Sequence, residues 1–143
     1  MLFGKHRRLV KRILIVEDEP LTAFDTEVVL QSAKYEVVGT VDRYADAIKL
    51  LDDGDVDLLL SDIRLAGERS GIDLAHEASK RDIPVLFISG DPPQEMGEAA
   101  LGYLHKPYAD KTLVKALGYV DKLLQGETPK PVKGLTLYTR ENA

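Results

Sequence analysis

Short apolar runs alternate with amphipathic stretches along the chain, and this rhythm predicts the elements. Ile13-Leu14-Ile15-Val16 is an unbroken apolar run that ends in the acids Glu17-Asp18-Glu19. Pro20 then opens a helix to about Ala33, with Leu21, Phe24 and Val28 at helical spacing. Val37-Val38-Gly39-Thr40-Val41 reads as a second strand. Ala45, Ile48 and Leu51 mark a second helix, stopped by Asp52-Asp53-Gly54-Asp55. Asp57-Leu58-Leu59-Leu60-Ser61 forms a third strand ending at Asp62, followed by a loop with Gly67 and Gly71 and a helix over 72–79. Pro84-Val85-Leu86-Phe87-Ile88 is a fourth strand, Tyr103-Leu104 a short fifth, and 111–124 a last helix.

Uniformly apolar strands separated by helices indicate a parallel sheet covered on both faces. Five such units in the stretch from 11 to 126 match a small doubly wound α/β fold. The rhythm breaks between the fourth and fifth strands. There the run Asp91-Pro92-Pro93-Gln94-Glu95-Met96-Gly97 holds two prolines and a glycine, so a helix at that place is expected to be short, frayed or absent. Three parts are expected: a basic arm over 1–10, one domain over 11–126, and a tail over 127–143 with no output domain. The tail is too short for a second domain and either stays loose or docks on a protein surface.

Composition narrows the function classes. The 143 residues are 44% hydrophobic, enough for one core, and contain no cysteine. Disulfides, thiolate metal sites and cysteine nucleophiles are therefore excluded, which suits a reducing cytoplasm. No apolar run is long enough to span a bilayer, and the N-terminus has no secretory pattern. The net charge of −5 divides unevenly: residues 1–12 carry +5 and 127–143 carry +1, leaving −11 on 13–126. So acidic a body is not expected to bind nucleic acid. The basic arm is either a solvated tail or a weak anion-binding segment.

The polar residues fall where such a fold binds ligands, beyond the carboxyl ends of the strands. The first strand ends in Glu17-Asp18, the third in Asp62, the fourth in Ser89, and the fifth runs into Lys106. Three neighbouring carboxylates repel one another in a partly dry cleft and call for a cation. Oxygen-only ligands select a hard ion, and Mg²⁺ suits a site with few carboxylates and several waters. One carboxylate beside such an ion is a nucleophile for phosphorus, and Asp62, the lone acid at a central strand end, is the natural acceptor. Asp18 is expected to bind the metal directly, Glu17 through water and Arg64 through its carbonyl; Ser89 and Lys106 would meet the phosphoryl oxygens.

Val16-Glu17-Asp18-Glu19-Pro20, Leu59-Leu60-Ser61-Asp62, Ile88-Ser89-Gly90 and Tyr103-Leu104-His105-Lys106-Pro107 resemble the receiver domain of two-component response regulators. The resemblance implies a flavodoxin-like five-stranded parallel sheet of order 2-1-3-4-5. It also implies phosphoryl transfer from a sensor histidine kinase or a histidine phosphotransfer protein. By the same resemblance, Ser89 and Tyr103 are the switch pair and the Lys106-Pro107 bond is cis. The run Phe87-Ile88-Ser89-Gly90 is similar to the single-domain FAT GUY subgroup, with Ile88 and Ser89 in place of Ala and Thr.

Plainer readings stand beside these. Glu17-Asp18-Glu19 is also what an acidic turn before a helix looks like, and Tyr103 is also what a packed core ring looks like. Leu113, Leu117 and Val120 are expected in the core, and His105 exposed. An Arg64–Asp91 ion pair across the site mouth is either a brake on hydrolysis or an exposed pair of no effect. An aspartate-nucleophile phosphatase of the haloacid dehalogenase type requires a second Asp two residues on, which Asp62-Ile63-Arg64 lacks. The expectation is a signalling phosphoacceptor rather than an enzyme, a monomer or weak homodimer. The alternative is a pseudo-receiver that serves only as an interaction domain.

Overall fold

The computed structural model describes residues 8–67, 69–91 and 99–138. In chain order the elements are β1 (Arg12–Val16), α1 (Pro20–Ser32), β2 (Glu36–Val41), α2 (Tyr44–Asp52) and β3 (Leu58–Asp62). They continue with α3 (Gly71–Lys80), β4 (Val85–Ser89), β5 (Gly102–His105), α4 (Asp110–Leu124) and β6 (Leu135–Leu137). The sheet runs β2-β1-β3-β4-β5-β6. β1 to β5 are parallel, and β6 is antiparallel to β5.

The sheet therefore has six strands rather than the expected five, because part of the 127–143 tail docks on the sheet edge. A three-residue strand with Leu at alternate positions carries too little pattern to stand out in the sequence. The proline-rich run after Asp91 falls on residues 92–98, so the expected shortened helix lies outside the described residues. So does most of the basic arm.

Alternating side chains of the buried strands feed two cores. Ile13, Ile15, Leu58, Leu60, Leu86 and Ile88 pack with Leu30 of α1 and with Leu113, Ala116, Leu117 and Val120 of α4. Leu14, Val16, Leu59, Val85 and Phe87 pack with α2 and α3 through Ala47, Leu51, Leu74, Ala75 and Ala78. With both faces covered, the polar ends of β1, β3 and β4 are left at one rim, where the strand order reverses between β1 and β3.

Two helix starts matter to that rim. Glu19 caps α1, its Oε1 accepting from the amides of Leu21 (2.9 Å) and Thr22 (3.2 Å), with Pro20 in the first turn. Ser70 and Asp73 form a capping box at α3. The buried residues of α1 are Ala23, Thr26 and Leu30. Leu21, Phe24 and Val28, the stripe that marks α1 in the sequence, lie on its outer face with 75%, 65% and 44% exposure. The small side chains at 23 and 26 let the helix settle close to the sheet, and the bulky stripe turns to solvent.

Candidate functional site: an acidic pocket at the switch point

Glu17, Asp18 and Asp62 place carboxylate oxygens within 4.8 Å of one another at the ends of β1 and β3. Their environments differ. Glu17 is buried, turned under the loop, with its Oε2 accepting from the Glu19 amide at 3.1 Å. Asp18 is exposed. Asp62 is buried to all but 8%, and its Oδ1 accepts from the amides of Ile63 (2.6 Å) and Arg64 (3.3 Å). The adjacent acids of the sequence thus divide their work: one anchors, one faces the opening, and Glu19 caps a helix.

Lys106 reaches back from the end of β5 between two of these acids. Its Nζ donates to Glu17 Oε1 at 2.7 Å and to Asp62 Oδ2 at 2.9 Å. The Lys106-Pro107 peptide bond that follows is cis. Burial raises the pKa of Glu17, and the hydrogen bonds from Lys106 and the Glu19 amide only partly offset that rise. Burial acts to lower the Lys106 pKa, but its hydrogen bonds and charge attraction to Glu17 and Asp62 outweigh this and hold it above the ordinary value.

Ser89 is 6% exposed at the end of β4, and its hydroxyl oxygen accepts from the Asp91 amide at 3.0 Å. A cavity of about 340 Å³ opens over these groups and is lined by Asp18, Asp62, Arg64, Ser89, Asp91 and Lys106 among others. Arg64 and Asp91 share this mouth, but no ion pair joins them among the described residues. Tyr103 is half-buried and lies one strand out from the pocket, its ring 5.8 Å from that of Tyr138 at 51°.

Three features of the site escaped the sequence reading. Gly71 has its missing Cβ aimed at the Asp62 carbonyl; a methyl there would lie 2.0 Å from that oxygen, and the Gly71 amide donates to the Ile63 carbonyl at 2.7 Å. The glycine lets α3 start directly against the end of β3. The signal was present: a glycine stands where a helix former is usual, just after Ser70 and two residues before the end of a Ser-x-x-Asp box. Ser61 is fully buried and donates to the Asp62 carbonyl at 2.7 Å, fixing the same peptide unit from within. Tyr138 was invisible, because its proximity to Tyr103 exists only through β6.

All donors in the cluster are oxygens, the group carries more negative than positive charge with Lys106 included, and the opening exposes Asp18. This donor set fits a hard divalent ion such as Mg²⁺ and fits no soft metal.

The chain is thus a doubly wound sheet with an acidic pocket at its switch point and a lysine delivered from the fifth strand. Residues 13–118 match the response regulator receiver domain family. The chain belongs to that family, and so to two-component signalling, whose members ordinarily signal rather than catalyse.

The transcriptional regulatory protein PdtaR of Mycobacterium tuberculosis is 33% identical over 113 residues, 75% of this chain and 55% of that protein. The response regulator PhyR from Brucella abortus superposes with a TM-score of 0.68 at 32% identity, over 84% of this chain and 51% of that one. The signal receiver domain of a modulated diguanylate cyclase from Desulfovibrio desulfuricans gives 0.70 at 29% identity, over 82% and 97%. The chain spans about half the length of the first two. Among the described residues no helix is long and apolar enough to cross a membrane.

Proposed function

We propose that this receiver domain accepts a phosphoryl group on Asp62 from a histidine of a sensor kinase or phosphotransfer protein, in the cytoplasm. The observation that carries the reading is the placement of Asp62 between backbone amides on one oxygen and Lys106 on the other, at the floor of the pocket. One Asp62 carboxylate oxygen forms the new P–O bond as the donor's N–P bond breaks, and the electron pair leaves on the imidazole nitrogen. Lys106 exchanges its contact with Asp62 for a phosphoryl oxygen, and Ser89 donates its hydroxyl to another. The amides of Ile63 and Arg64 hold the spectator oxygen, so the attacking one stays aimed outward.

Asp18 and Asp62 would hold Mg²⁺ directly, with Glu17 behind them and the Arg64 carbonyl beside them. A bound Mg²⁺ supplies neutralisation of charge on the transferring group.

The exposed stripe Leu21, Phe24 and Val28 begins directly behind the acidic turn. An exposed apolar helix face that starts next to the acidic turn favours a protein donor that docks a helix of its own. The signal leaves by protein–protein contact or by passing the phosphoryl group on. The Phe87-Ile88-Ser89-Gly90 run supports membership of the FAT GUY subgroup, and membership of the receiver family supports Ser89 with Tyr103 as the switch pair.

Incubation with acetyl phosphate and Mg²⁺ followed by intact mass tests this. One added phosphoryl group is expected on the wild type and none on Asp62→Asn. An unmodified wild type would leave the chain an interaction domain, the pseudo-receiver alternative.

A further inference from the structure

Residues 132–138 return along the outer edge of the sheet and cover the strand that delivers Lys106. β6 pairs antiparallel with β5, matching Gly102 with Leu137, Tyr103 with Thr136 and Leu104 with Leu135. The Tyr138 amide donates to the Leu101 carbonyl at 2.9 Å, and the His105 amide to the Gly134 carbonyl at 2.9 Å. The very next amide, that of Lys106, donates to the Ser89 carbonyl at 3.0 Å. Consecutive peptide units thus clamp the end of β5 between β6 on one side and the site residue Ser89 on the other.

The edge is shaped for a strand. A Cβ on Gly102 would lie 2.1 Å from the Thr136 carbonyl oxygen and 2.8 Å from Leu137 Cα; its three nearest neighbours all belong to β6. A side chain at 102 would push β6 away. Tyr138 is buried against Tyr103, while Leu135 packs toward the opposite core from the one Tyr138 joins. The covering strand is three residues long, Leu135–Leu137.

We propose that residues 132–138 are a displaceable strap, loosened when Asp62 is phosphorylated, and that the freed β5 edge takes an extended apolar-polar-apolar segment of a partner protein. The inference rests on the phosphoacceptor reading above. An O–P bond on Asp62 removes the oxygen that Lys106 now contacts, so the ammonium follows the phosphoryl oxygens and Ser89 turns its hydroxyl to them. Both residues sit on the peptide units that join β5 to its neighbours, and the strap holds the arrangement in which Lys106 bridges Glu17 and Asp62. An uncovered edge presents unpaired N–H and C=O groups, which recruit another strand. By reciprocity, whatever loosens the strap must favour occupancy of the pocket by the same factor.

The test uses the full chain, with beryllofluoride and Mg²⁺ as a non-covalent phosphoryl stand-in. Hydrogen exchange at the His105 and Tyr138 amides is expected to accelerate roughly fivefold or more on loading, while Leu60 in β3 stays protected. Tyr138→Ala, with its strap already loosened, should bind beryllofluoride about five times more tightly than wild type. A fluorescent peptide of residues 132–138 should bind Tyr138→Ala and loaded wild type, and should fail on Gly102→Ala, whose new methyl blocks any strand at the edge. Beryllofluoride binding with unchanged exchange at the two amides would overturn the strap and leave the phosphoacceptor reading standing. Absence of beryllofluoride binding to wild type would overturn both.

Discussion

Replacing Lys106 by Met tests the electrostatics of the pocket while keeping most of the side-chain volume. The ammonium lies 2.7 Å from Glu17 and 2.9 Å from Asp62, with the three side chains 25%, 0% and 12% exposed. At an effective dielectric near 20, each contact is worth roughly 6 kcal/mol before desolvation is counted. Desolvation takes back most of that, and removing one member of a fully buried pair costs about 3–5 kcal/mol. The partial exposure of Lys106 lowers the expected loss to about 1–3 kcal/mol.

The loss should depend on pH. Burial holds the Glu17 pKa above its ordinary value, so the fold favours the neutral carboxyl. That contribution is fully present below the ordinary glutamate value and is lost as pH rises through the folded value. Without Lys106, which now pulls Glu17 back toward ionisation, the window extends to higher pH, and the deficit is greater near neutrality than in mild acid. The same charge removal should tighten Mg²⁺ binding about three- to tenfold, since two buried carboxylates lose their counter-ion. Urea unfolding with and without Mg²⁺ measures both quantities. A Lys106→Met protein with wild-type stability and wild-type Mg²⁺ affinity would refute the reasoning.

Two glycines should respond oppositely to alanine. In Gly71→Ala the methyl meets the Asp62 carbonyl at 2.0 Å, which should cost roughly 1–3 kcal/mol in urea melts and slow phosphoryl uptake. Gly118, inside α4 with nothing within 4 Å of its Cβ, should gain about 0.5–1 kcal/mol as alanine; the reverse ranking would contradict the packing. Burial, with the neighbouring Tyr103, pushes the Tyr138 phenol up to about 12. Its neutral form therefore adds stability that is complete below the ordinary tyrosine value and is lost as pH rises through about 12. Phenolate absorbance should show that late step in wild type and lack it in Tyr138→Phe; a Tyr138 that titrates with exposed tyrosines would place its ring outside the core.

The sequence by itself determined the parallel architecture and the rim where the chemistry gathers. Runs such as Leu58-Leu59-Leu60 can satisfy so much apolar surface only between two helical layers, and the polar residue that ends each run must then emerge at the same edge. Glu17, Asp62, Ser89 and Lys106 were legible for that reason. Tertiary structure decided what depends on distance between remote segments. Nothing local distinguishes Glu17, turned inward under Lys106, from Glu19, which caps a helix two residues away. The stripe Leu21-Phe24-Val28 has the period of a buried face and lies outside, because periodicity gives a face and not its direction. The sixth strand was hidden for a further reason: three residues pair with β5 because Gly102 leaves room for them, and room is a property of the partner strand rather than of the strand that fills it.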